Sequence, residues 1–112
     1  MALTRDFKQS VVARVQRDPD FSRALLDEAA GLFLNGEPAA ARLILRDLVN
    51  ATVGFEQLAD LTQRPSKSLH RMLSASGNPG MDNLAVIFNV LRRTLGVSMA
   101  VQGVKEEASL RG

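Results

Sequence analysis

Apolar residues recur along this chain at intervals of three and four, and few stretches alternate strictly, so the pattern is one of amphipathic helices. Six helices follow. The first covers residues 4–16, with Thr4 as its N-cap, Phe7, Val11 and Val15 on one stripe, and Asp18-Pro19 as its end. The second carries Phe21, Leu25, Ala29, Leu32 and Phe33 and stops at Asn35-Gly36, a pair suited to a left-handed C-terminus. Pro38 opens the third, which buries Ala41, Ile44, Leu45 and Leu48 and ends near Thr52, Val53 and Gly54. A short fourth helix, residues 55–62, turns Phe55, Leu58, Ala59 and Thr62 inward. Pro65 breaks the chain before a fifth, residues 66–74, with Leu69, Met72 and Leu73 inward and Lys67, Ser68, His70 and Arg71 outward. After the loop SASGNPG, Asp82 caps a sixth helix bearing Leu84, Ile87, Phe88, Leu91 and Leu95, closed by Gly96. The segment VSMAVQGV alternates enough for one short strand, which would pair across a dimer or with another chain.

The expected fold class is therefore all-α, a single helical bundle with one short C-terminal strand. At 112 residues the chain fits one domain, residues 1–104, followed by a polar tail, residues 105–112, expected to be disordered. There is no cysteine, which excludes disulfides and thiolate metal sites and suits a reducing compartment. No apolar run is long enough to span a membrane, and the N-terminal MALTRDFKQS lacks the apolar segment of a secretory signal, so the expected location is the cytoplasm.

Catalytic chemistry finds no foothold. His70 is the single histidine, and it has neither the second imidazole nor the carboxylate cluster that zinc or acid–base work requires. The serines lack a nucleophile elbow, and the glycines form no phosphate-cradling fingerprint. Asp27-Glu28 and Glu106-Glu107 are adjacent and do not share a helix face. No enzyme, no metal and no cofactor is expected. With five phenylalanines at core spacings and no tyrosine or tryptophan, stacking on single-stranded nucleic acid is not expected either.

Charge changes the picture. The formal net charge is only +2, but residues 1–53 hold seven basic and seven acidic side chains, and residues 54–112 hold seven and five. Between Asp60 and Asp82 there is no acid, while Arg64, Lys67, His70 and Arg71 fall there. An anionic partner would approach at this stretch.

The same stretch, GFEQLADLTQRPSKSLHRML, joins two short amphipathic helices by a turn too brief for a crossover, the spacing of a helix-turn-helix. Close packing of two such helices needs a small residue at the crossing, and Ala59 supplies it. The second helix must be apolar toward the bundle and short-polar or cationic outward to enter a DNA major groove, and Ser66, Lys67 and Arg71 meet that need.

LADLTQRPSKSLHRML, with the following GNP and DNLAVIFNVLRRTLGV, resembles the helix-turn-helix domain of phage repressor and Cro proteins (XRE-like), over about residues 54–98. With the upstream ALLDEAAGLFLNGEPAAARLILRDLVNAT, the chain resembles the HigA-type antidote proteins (antitoxins) of bacterial toxin–antitoxin modules. The resemblance implies a dimeric repressor of its own operon that binds a cognate toxin, one that cleaves messenger RNA. Carried over, the motif puts Ser66, Lys67 and Arg71 at base edges of double-stranded DNA, with Ser68 and His70 beside them. Arg64, Ser74, Ser76 and Asn78 would sit near phosphates. Two positions depart from the family pattern. Gln63 stands where a glycine is usual in the turn, and Phe55 where many repressors have a polar residue on the phosphate backbone.

Alternatives stay open on the sequence. A basic face on a short helix is also what a solvated surface presents, and a stand-alone regulator or a protein-interaction module without DNA binding fits the same pattern. Val86 and Val90 widen the apolar face of the last helix, as either full burial or a dimer interface with recognition helices ~34 Å apart would require.

Overall fold

Proline or glycine opens α2 to α6 in this chain, and Asn35 and Gly96 close two of its helices. The computed structural model describes residues 2–106, with side chains from residue 10 onward. Among the described residues six helices form: α1 (Ala2–Arg17), α2 (Pro19–Leu34), α3 (Pro38–Ala51), α4 (Gly54–Thr62), α5 (Ser66–Met72) and α6 (Met81–Leu95). The described residues contain no strand, and the fold is all-α. None of these helices is long and apolar enough to cross a membrane.

Asp18 does two jobs. It ends α1 and, in extended conformation, caps α2, its carboxylate accepting the Phe21 N–H at 3.1 Å ahead of Pro19 in the first turn. Gly96 ends α6 in the left-handed region at φ 71°, where a Cβ would be strained.

Four expectations need correction at the element ends. α1 begins at Ala2, so Thr4 lies inside it and does not cap it. α6 begins at Met81 with Gly80 as N-cap; Asp82 lies in the first turn, where its charge complements the helix dipole without a capping bond. α5 stops at Met72, two residues short, because the Ser74 N–H turns back to the Arg71 carbonyl. Residues 97–106 have no regular structure: among the described residues no strand is available to pair with them, although exposure still alternates from Val97 to Ala100. Of the tail expected to be disordered, Lys105 and Glu106 are irregular and exposed, and residues 107–112 lie outside the described residues.

α2 and α3 pack along each other with α1 against both; α3 leads into α4, α4 pairs with α5, and α6 lies against α2 and α4. One core joins all six helices, from Val15 in α1 through Leu26, Leu45, Leu48, Leu58, Leu69, Ile87 and Leu91, with Leu73 just beyond α5. Burying each leucine contributes roughly 1.5–3 kcal/mol against the entropy of ordering it.

The buried face of α2 is Ser22, Leu26 and Ala29, rotated from the expected stripe, of which Phe21, Leu25, Leu32 and Phe33 are only half-buried. The rotation follows from α2 being gripped by α1, α3 and α6 together. Ser22 satisfies its hydroxyl by donating to the Val15 carbonyl at 2.8 Å. In α3, Ala41, Leu45 and Leu48 are buried as expected, Val49 and Ala51 join them, and Ile44 is half-buried. Phe7 lies outside the residues whose side chains are described.

Candidate functional site

The α4–turn–α5 unit is anchored from below. Leu58 and Leu69 are fully buried, Thr62 is buried with its hydroxyl donating to the Leu58 carbonyl at 2.7 Å, and half-buried Ala59 packs against the core. Only Gln63, Arg64 and Pro65 separate the helices. Gln63 takes the left-handed conformation (φ 56°, ψ 42°) that glycine would adopt most readily, the one non-glycine residue with positive φ among the described residues. Its side-chain amide donates to the Asp60 carbonyl at 2.9 Å, and its backbone N–H to Ala59. The chain therefore turns within three residues, with some strain kept in the backbone.

On α5 the anchored face carries Leu69, with Met72 half-buried beside it. The opposite face brings Lys67, His70 and Arg71 together one turn apart, all exposed. Ser66 and Ser68, expected at base edges with them, are half-buried flanks of that face; the full outward turn expected of Ser68 is only partial. His70 is held from one side. Its ring stacks on Phe55, centroids 3.8 Å apart and planes at 20°. Phe55 itself is buried, a core residue that also orients His70, where the resemblance implies a polar group on phosphate.

The four side chains expected near phosphates are placed differently from one another. Ser76 and Asn78 are exposed in the loop after α5. Ser74 is half-buried and its hydroxyl donates back to the Arg71 carbonyl at 2.8 Å. Arg64 turns inward: Nη1 donates to the Thr62 carbonyl at 2.8 Å and Nε to Asn83 of α6. Nη1 thus braces the turn against the end of α4, and Nε ties it to the start of α6.

Two partners escaped sequence reasoning. Asn83 receives Arg64, and Arg42 of α3 reaches the loop after α5, donating from Nε to the Ser74 carbonyl at 3.0 Å and from Nη2 to the Ala75 carbonyl at 2.8 Å. Neither has a sequence signal, since the pairs lie 19 to 33 residues apart. Val86 and Val90 are half-buried within the single chain, Val90 packed against the core. Among the described residues no group of three histidine or carboxylate side chains converges as a metal site.

A different surface is apolar. Phe33 and Leu34 of α2, Met81, Leu84 and Phe88 of α6, and Val101 line an open trough of about 290 Å³. Met81 and Val101 are 81% and 75% exposed there.

Comparison with family models, with curated proteins and with solved structures finds no match, so the reading of this site rests on its own geometry and chemistry.

Proposed function

We propose that this chain is a sequence-specific double-stranded DNA-binding transcriptional regulator, with α5 as its recognition helix. One observation carries the reading. A short helix, anchored by Leu69 and set off by a three-residue turn, presents Lys67, His70 and Arg71 on one exposed face. An α-helix with side chains is ~10–12 Å across and the major groove ~12 Å wide, so such a face fits the groove and its cations meet guanine O6 and N7. Exposed Ser76 and Asn78 are available to phosphates beside it, and Arg64 acts mainly as an internal brace.

The apolar trough and the irregular residues 97–106 support a protein partner, and we assign a second copy of this chain. Alternating exposure from Val97 to Ala100 fits a segment that gains a strand partner from its symmetry mate, and two copies would offer two recognition helices to a palindromic operator. The biological setting that the family resemblance implies is an antitoxin that represses its own operon in the cytoplasm and binds a cognate toxin. It involves no catalysis.

Fluorescence anisotropy with the duplex just upstream of the gene, against a scrambled duplex of equal length at two salt concentrations, tests this reading. Preference for the native duplex by ~10³-fold or more is the expected result. Equal, strongly salt-dependent binding to both would reduce the site to a basic surface. Binding to neither would leave a protein-interaction module. A toxin-like reading frame beside the gene separates an antitoxin from a stand-alone regulator.

A further inference from the structure

The end of the recognition helix is covered by its own loop, and the cover is held in place from another helix. The Gly77 N–H donates to the Ser74 carbonyl at 3.1 Å, folding residues 74–77 back over the last turn of α5. The approach is so close that a Cβ on Gly77 would lie 2.3 Å from the Met72 carbonyl oxygen and 2.5 Å from that of Arg71. Backbone atoms cannot yield to it, so glycine is required at this position. On the other side of the loop, the Arg42 guanidinium donates to Ser74 and Ala75, the next carbonyls along the chain. Its fork is spread over two neighbouring acceptors, which an ammonium group cannot match. Arg42 also lines, with Leu45, Asn78, Pro79 and Leu84, a cleft of about 230 Å³ beneath the loop.

We infer that Arg42 is a positioning residue for the DNA-binding surface: it clamps the loop that carries Ser76 and Asn78 onto the C-terminal end of α5. The loop thereby keeps a fixed offset from Lys67 and Arg71. This inference rests on the DNA-binding reading above for its purpose, although the clamp itself does not. A loop held at both Ser74 and Ala75 meets the phosphates without first being ordered, so losing the clamp costs affinity without touching a base contact.

The test uses the full chain with three substitutions, Arg42→Gln, Arg42→Lys and Gly77→Ala, and two measurements. The first is amide hydrogen exchange, read at Gly77 and compared with core amides of α3 and α6. The second is affinity for the upstream duplex as a function of salt. In Arg42→Gln, Gly77 exchange rises by roughly tenfold or more while core amides hold, as expected when a charge-assisted hydrogen bond is lost. Affinity falls by a comparable factor, while the salt slope changes by less than the ~1 that a lost cationic phosphate contact would give, because Ser76 and Asn78 are neutral. Arg42→Lys keeps the charge and loses the fork, so it follows Arg42→Gln; Gly77→Ala gives the same loss of affinity from the other side of the loop. Unchanged exchange at Gly77 in Arg42→Gln overturns the clamp. Full affinity in Arg42→Lys also overturns it, because charge alone would then explain the Gln variant. Should Arg42→Gln fail to fold, Arg42→Lys carries both measurements. If the wild-type chain shows no preference for its upstream duplex, the DNA-binding reading and this purpose for the clamp fall together, and exchange at Gly77 decides whether the clamp exists.

Discussion

Gln63 and Ser22 are the residues where local chemistry and tertiary demand meet most directly. At Gln63 a side-chained residue holds a left-handed turn, and roughly 1–2 kcal/mol of backbone preference is set against it. Gln63→Gly removes that strain but gives the unfolded chain more freedom, which takes back about 0.4–1 kcal/mol. The expected net gain is ~0.5 kcal/mol, a rise of about 2–4 °C in Tm. A fall in Tm would mean that the amide's bond to the Asp60 carbonyl matters more than the strain. Ser22 is a polar residue at 1% exposure between α1 and α2, its hydroxyl on the Val15 carbonyl. Ser22→Ala leaves that carbonyl without its donor and should cost about 1 kcal/mol in chemical denaturation. Phe55 shows the same coupling between core and surface, since its buried ring also sets the plane of the exposed His70 imidazole.

Among the elements, α5 carries the proposed DNA-binding face and is the least able to stand alone. Seven residues cannot sustain a helix in water, so its form depends on Leu69 in the core, on the turn before it and on the folded-back loop after it. Its outer face is energetically free to vary. Lys67→Ala with Arg71→Ala should therefore leave denaturation within ±0.5 kcal/mol of wild type while the preference for the upstream duplex is lost. Unchanged affinity in that double variant would remove these two side chains from the interface. The α1–α2 junction offers a contrasting case, since Asp18 supports the fold and is not among the proposed DNA-binding residues. Asp18→Ala removes the N-cap of α2 and should cost about 1 kcal/mol. The ion pair of Asp18 with Arg14 adds little to this, being 3.6 Å long and largely solvated. Equal stability of the variant and wild type would show that the cap bond is replaced by water.

For the whole molecule the open question is what meets the apolar trough and the segment after α6. In the proposed dimer they are buried against a second copy. The chain should then sediment as a dimer at micromolar concentration, and a chain ending at Gly96 should sediment as a monomer with the helices intact by circular dichroism. A dimer that survives this truncation would move the interface to another face. Val86 and Val90, already half-buried in one chain, have less surface to offer.

Six helices, their order and most of their ends are readable without coordinates, because proline, Asn35-Gly36 and Gly96 act locally and a period of three to four survives any arrangement of neighbours. The cationic face of α5 is readable for the same reason: Lys67, His70 and Arg71 lie within one turn and a bit, and their side of the helix follows once Leu69 is inside. Tertiary structure alone decided the rest. It rotated α2 so that Ser22 and Leu26 are fully buried while Phe21 and Leu25 pack against the core only half-buried, because a helix gripped from three sides has no single apolar stripe. It tied Arg64, expected near phosphates, to Thr62 and Asn83, left residues 97–106 without a strand, and placed Arg42 against the end of α5. Each of these depends on a partner that is distant in sequence or absent from a single chain. Local spacing fixes which side of a helix is apolar, whereas the direction in which a long polar side chain spends its hydrogen bonds is set by whatever the fold brings within reach.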